Sequence, residues 1–197
     1  MKTRSKVVII IISVALIAGF FLPIWAISLE APQYPEGLGM NIWINKITGD
    51  LNTINGLNHY IGMRRIEPNS IKELNYMPYM LGFLAITGII TGLLGRKKIL
   101  TAWVIIFVAL GIAGGIDFYK WEYDYGHNLN PEAAIKIPGM SYQPPLLGSE
   151  QLLNFTATSL PDAGGVFVIA SGLIGLGVLT LETFFNKTRK QNVPKHV

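Results

Sequence analysis

Four stretches of the chain are apolar for about the 20 residues that a helix needs to cross a bilayer. The first runs from Val7 to Ile27 without a charge, the second from Met77 to Gly95, the third from Ile99 to Ile116 and the fourth from Gly165 to Phe185. Only Arg96, Lys97 and Lys98 separate the second from the third, so these two form a tight hairpin of spans. Pro23 and Trp25 near the far end of the first stretch predict a kink and an interfacial anchor. Pro78 suits the first turn of the second span, and Asp162 is placed to cap the fourth. The expected fold is an all-α polytopic membrane protein. Its four transmembrane helices span 7–27, 77–95, 99–117 and 165–185, with long loops at 28–76 and 118–164 and a basic tail at 186–197.

The first stretch has a competing reading. Ala26-Ile27-Ser28 resembles the small-x-small cleavage site of a secretory signal. The apolar run exceeds the roughly 7–15 residues of a signal core, which favours a retained helix. Both readings put the segment that follows outside the cytoplasm.

Charge sets the orientation. Ten of the sixteen basic residues lie before the first span, between the second and third, or after the fourth. The opposite face, with Asp117 at the end of the third span, carries six basic and eleven acidic residues. By the positive-inside rule both termini are cytoplasmic and both long loops are extracytoplasmic. The net charge of +4 is therefore a topology signal, and no nucleic-acid partner is expected. Charged residues make up 14% of the chain, against about 25% in water-soluble domains, which strengthens the membrane assignment. Small-xxx-small steps at Ala15/Gly19, Gly88/Gly92, Gly111/Gly115 and Ser171/Gly175 predict a compact bundle.

Several function classes drop out. The chain has no cysteine, which excludes disulfides, thiol nucleophiles and thiolate metal sites. No ionisable residue lies mid-span, so the charge relay of a pump or ion-coupled transporter is missing. His59, His127 and His196 all lie outside the spans, which leaves a transmembrane haem without axial ligands. Neither a G-x-S-x-G elbow nor a phosphate-binding glycine loop is present. The chain is read as a non-enzyme.

The long loops hold the candidate chemistry, since structureless loops of this length are uncommon unless functional. Met40 to Ile47 alternates like a short strand, and Ser70 to Asn75 reads as a helical turn leading into the second span. Apart from Met1, the methionines avoid the span interiors: Met40, Met63 and Met140 lie in loops, and Met77 and Met80 at the mouth of the second span. Met77 and Met80 share a helix face, as would His59 and Met63 if that segment were helical. Thioether and imidazole ligands suit Cu(I). The competing reading is that these methionines fill gaps at the membrane surface. Glu122, Asp124 and His127 form either a carboxylate–histidine site or a solvated acidic loop, and the second is the simpler reading.

The loop strings LEAPQYPEGL (29–38), INGLNHYIGM (54–63), WEYDYGHNL (121–129) and PGMSYQPPL (138–146) resemble those of small four-span membrane proteins encoded beside nitrous oxide reductase in denitrifying bacteria, the NosB-like accessory proteins. The resemblance covers both loops and the four-span plan. It implies a bacterial inner (cytoplasmic) membrane, with the lipid bilayer and a periplasmic copper enzyme or its maturation factors as partners. The implied function is an accessory role in nitrous oxide respiration, assisting copper delivery or maturation of the reductase. Copper is then the expected cofactor, held by His59, Met63, His127 and Met140, with Met77 and Met80 behind them. The alternative is a non-catalytic anchor or assembly subunit of a respiratory complex whose loops only dock protein. A quinol-oxidising module is the remaining option and lacks haem ligands.

Overall fold

The computed structural model describes residues 1–152 and 154–191, with side chains through residue 184. Four helices are long and apolar enough to cross a membrane. They are α1 (Thr3–Ala15), continued as a 3-10 helix over Leu16–Phe20, α3 (Glu73–Leu94), α4 (Lys97–His127) and α5 (Ala163–Gln191). A shorter helix, α2, spans Leu51–Ile61. The last six residues of the expected basic tail, His196 among them, lie outside the described residues.

The all-α expectation needs correction, because the segments between the long helices build a five-stranded antiparallel sheet. Its strands are β1 (Trp25–Ala31), β2 (Tyr34–Ile42), β3 (Ile47–Gly49), β4 (Gly148–Leu152) and β5 (Phe155–Pro161). Their spatial order is β3-β2-β1-β5-β4. The first helix stops at Phe20, so Trp25, Ala26 and Ile27, expected at the end of a span, start the central strand instead. Apolarity alone does not separate a helix end from a buried strand that follows it. The strand expected over Met40–Ile47 divides into the end of β2, a turn and the start of β3.

The long helices pack on one core formed mainly by Ile9, Ile12 and Leu16 of the first, Leu81, Leu84 and Ala85 of α3, and Leu100, Trp103, Val104 and Phe107 of α4. Trp103 Nε1 donates to the Leu84 carbonyl at 3.0 Å, so the indole satisfies its polar atom while tying α4 to α3. The glycine steps differ in use. A Cβ at Gly88 would collide with Ser13, and one at Gly92 with Ile10. Gly111, Gly114 and Gly115 meet nothing within 4 Å. Gly111 to Asp117 of α4 are exposed on every side of the helix. Among the described residues, the expected Gly111/Gly115 packing step is therefore not used.

Two helices run further than their apolar stretches. Residues 73–76 belong to α3, which puts Pro78 inside the helix rather than in its first turn. At about 1.5 Å per residue, the 31 residues of α4 extend well past the roughly 30 Å of a hydrocarbon core. Its last two to three turns lie beyond the apolar stretch and turn Phe118, Trp121 and Tyr125 onto the sheet core, which includes Ile27, Leu38, Met40 and Ile54. Trp25 meets Phe118 edge-on at 5.4 Å and donates to Ser159 Oγ at 2.7 Å. Sheet, α2 and the end of α4 thus form a small domain at one end of the bundle.

Candidate functional site

The candidate site is a cavity of about 90 Å³ between the sheet, α2 and the end of α4. Two neighbouring segments close it, and each is fixed by identifiable bonds. Gly62 ends α2 with φ +83 and turns the chain back along the helix. Asn55 then clamps Ile66 in both directions, with Oδ1 accepting the Ile66 N–H at 2.7 Å and Nδ2 donating to its carbonyl at 3.1 Å. This brings Met63 and Ile66 to the cavity wall. On the outside, Arg64 pairs with Asp124, and the Tyr125 hydroxyl donates to the Arg65 carbonyl at 3.1 Å. The second segment is seated at Gly126, where a Cβ would strike the Gln143 backbone. The Tyr142 N–H donates to the Gly126 carbonyl at 2.9 Å, which sets Tyr142 against the cavity.

The wall is mostly aliphatic and aromatic, with Ile27, Leu29, Met40, Ile54 and Leu57 on the sheet and α2 side. Of its polar residues, Asn58 donates to the Arg64 carbonyl at 3.4 Å and Tyr125 to that of Arg65, but the others lack partners. Both carboxyl oxygens of Glu122 and the hydroxyl of Tyr142 are buried without a hydrogen bond, and Trp121 Nε1 beside them has none either. Glu122 is 0% exposed and Tyr142 4%. Native interiors rarely leave buried polar atoms unpaired, so each such group calls for an explanation. Burial pushes the Glu122 carboxyl up to about 8, with no cation beside it to hold the charge. At neutral pH it is mostly protonated.

The sequence groups Glu122 with Asp124 and His127, and its simpler reading makes all three a solvated loop. The segment is helical, and helical periodicity separates them. Positions 118, 121, 122 and 125 form the stripe that meets the sheet, so Glu122 is buried in it. Asp124 turns away to Arg64. His127, the last residue of α4, is exposed and stacks on Tyr123 at 3.9 Å. An acid inside an aromatic stripe is the sequence signal that marks Glu122. Tyr142 and the aliphatic wall had no such signal, because they arrive from distant segments.

The expected copper ligands are distributed over the domain. Met63 lines the cavity, whereas His59, His127, Met140, Met77 and Met80 do not. The expected sharing of a helix face by His59 and Met63 fails, because α2 ends at Ile61 and the left-handed Gly62 stands between them. His59 is exposed, with its ring edge-on to Tyr60 at 6.0 Å. Met77 and Met80 do lie within α3, and Met77 packs against the bundle core. Met140 is half-buried in the segment after α4. Among the described residues, no three His, Asp or Glu side chains form a group that could hold a metal ion.

No protein-family model, no curated protein and no solved structure matches the chain. The reading of the site therefore rests on its own geometry.

Glu122 makes stability depend on pH in a defined sense. Its carboxyl is raised when folded and ordinary when unfolded, so the folded state holds the proton more tightly. Stability is full below the unfolded value near 4.5, falls as pH rises towards about 8, and is flat above it. One proton sets a slope of about 1.4 kcal/mol per pH unit within that window. Thermal unfolding of the detergent-solubilised protein is expected to show this decline, and Glu122→Gln is expected to remove it. An equal slope in both proteins would mean that Glu122 does not titrate in the buried state.

Proposed function

We propose that the chain is a membrane-bound, non-catalytic binding protein. Its four helices hold the sheet-and-helix domain at the periplasmic surface of a bacterial inner membrane, and the cavity beside Glu122 receives a small, largely apolar ligand. One observation carries the reading: Glu122 and Tyr142, whose buried oxygens have no hydrogen-bond partner, both line one mostly apolar cavity. Apolar pockets with a few convergent polar groups are the common form of small-ligand sites. The accessory role in nitrous oxide respiration implied by the resemblance supplies a setting, in which ligand binding serves a periplasmic copper enzyme or its maturation factors.

A copper role is the second reading, and one feature of His127 favours it. Its Nδ1 lies 3.1 Å from the Tyr123 carbonyl. With the proton on Nδ1, that bond leaves the Nε2 lone pair free, as in many metal-ligating histidines.

Native mass spectrometry of the protein extracted from its own membranes tests the first reading. The wild type is expected to carry a small-molecule mass that is lost when Leu57→Trp fills the cavity. Bare protein in both samples would remove the ligand-binding reading.

Orientation is tested on the naturally cysteine-free chain. Glu150→Cys is expected to react with a membrane-impermeant maleimide in intact spheroplasts, and Lys98→Cys only after lysis. The reverse pattern would invert the proposed topology.

Copper is tested by Cu(I) competition against a chromophoric chelator. Binding is expected to weaken in His127→Ala/Met140→Ala and in His59→Ala/Met63→Ala. Binding no better than a mock purification would sink the copper reading.

A further inference from the structure

The unpartnered atoms of the cavity narrow the chemistry of its ligand. An ionised Glu122 offers two acceptor oxygens, and Tyr142 a third. A primary ammonium carries three N–H donors and no acceptor. It matches these three oxygens in number and brings the positive charge that the buried carboxyl lacks; the fourth unpartnered atom, Trp121 Nε1, is a donor and stands outside the match. The Trp121 indole also lines the cavity, and aromatic faces attract cations; the Tyr125 ring beside it, 4.6 Å away between centroids, already carries the Arg64 guanidinium at 5.5 Å. Apart from Asn58, the remaining wall is apolar and suits a hydrocarbon substituent. A volume of about 90 Å³ equals about three waters at ~30 Å³ each, which admits a head group and the first carbons of a chain.

We propose that the cavity binds the primary ammonium group of an alkylamine, with Glu122 as its counter-carboxylate and Tyr142 as the third acceptor. The proposal rests on the ligand-binding reading above and adds the class of ligand.

Binding is then coupled to a proton. In the empty site Glu122 is largely protonated at neutral pH, so an incoming ammonium must release that proton to the solvent. Among the described residues, no other charged side chain lines the cavity. Among the cavity-lining residues the only other titratable groups are the Tyr125 and Tyr142 hydroxyls. The sheet and α2 contribute none. Arg64, from the segment after α2, is engaged with Asp124 of α4, and Arg65 is exposed. An alkylamine keeps its charge up to about pH 10, so the pH dependence below 9 reports on the protein.

The test is calorimetric titration of the full-length protein in detergent with n-butylammonium, using n-butanol as the neutral control. The apparent affinity is expected to rise about tenfold per pH unit between pH 6 and pH 7.5 and to level off above about 8. Up to one proton is released per amine bound, read from the difference between two buffers of unequal ionisation enthalpy. Glu122→Gln is expected to lose at least tenfold in affinity and all of the pH dependence. Tyr142→Phe is expected to lose affinity while keeping the pH dependence, which separates a lost acceptor from a misfolded domain. Repeating the titration in nanodiscs with and without phosphatidylethanolamine identifies the source. Competition by that lipid assigns the site to a lipid amine head group, and its absence assigns it to a soluble amine.

No butylammonium binding, or butanol binding as well as the amine, overturns the proposal. So does affinity that falls as pH rises, because a protonated Glu122 would then be serving a neutral ligand. These failures leave a ligand mass seen by native mass spectrometry untouched, so the class of ligand and the presence of a ligand fail separately.

Discussion

The ladder on both edges of β1 is the constraint on which the rest depends. β1 pairs with β2 on one side and with β5 on the other, from Trp25↔Ile42 and Trp25↔Pro161 onwards. Buried backbone N–H and C=O groups must find partners, and a central strand satisfies both of its edges only if two distant segments close on it. This draws together chain from before α2 and chain from just before α5, 134 residues apart at the Trp25–Ser159 bond. The same junction fixes the bundle. The Gly164 N–H donates to the Pro23 carbonyl at 2.9 Å, and a Cβ at Gly165 would collide with the Ile24 backbone. The start of α5 is thereby pressed against the place where the first helix gives way to strand.

The long α4 is what turns this sheet into a cavity. Its first half belongs to the bundle core and its last turns to the sheet core, with the bare stretch Gly111 to Asp117 between them. One rigid helix therefore transmits the position of the membrane bundle to Trp121, Glu122 and Tyr125. Glu122 occupies a place in the stripe that an aliphatic residue would fill at lower cost. A buried carboxylate without a partner is expensive, and protonation is the cheaper state. A fold that tolerates this expense at the wall of a cavity holds a group whose charge a bound ligand can restore.

The distribution of methionine and histidine follows the same architecture. Met40 is buried in the sheet core and Met77 packs at the bundle core, which accords with thioethers as adaptable fillers of apolar space. Met63 reaches the cavity because Gly62 reverses the chain. His59 and His127 end on exposed helix surface. Residue type alone groups these side chains, and the fold assigns them to different surroundings.

The sequence by itself determined the four apolar helices and the hairpin between α3 and α4. These depend on local composition and length, and charge asymmetry along the chain supports an orientation for them. The sequence also groups Glu122 with Asp124 and His127, and the simpler reading of all three as a solvated loop misses that Glu122 is buried. The sheet was not legible. β1 hides in the tail of an apolar run, and its partners lie at separations that no local period encodes. The cavity is a product of tertiary structure for the same reason. Its wall combines β1, α2, α4 and the Tyr142 segment, and the unpartnered residues Trp121, Glu122 and Tyr142 come from segments that meet where Gly126 lets the backbone of Gln143 approach. Local pattern decides which segments become long helices. Long-range backbone pairing and one close glycine contact decide which residues line the site.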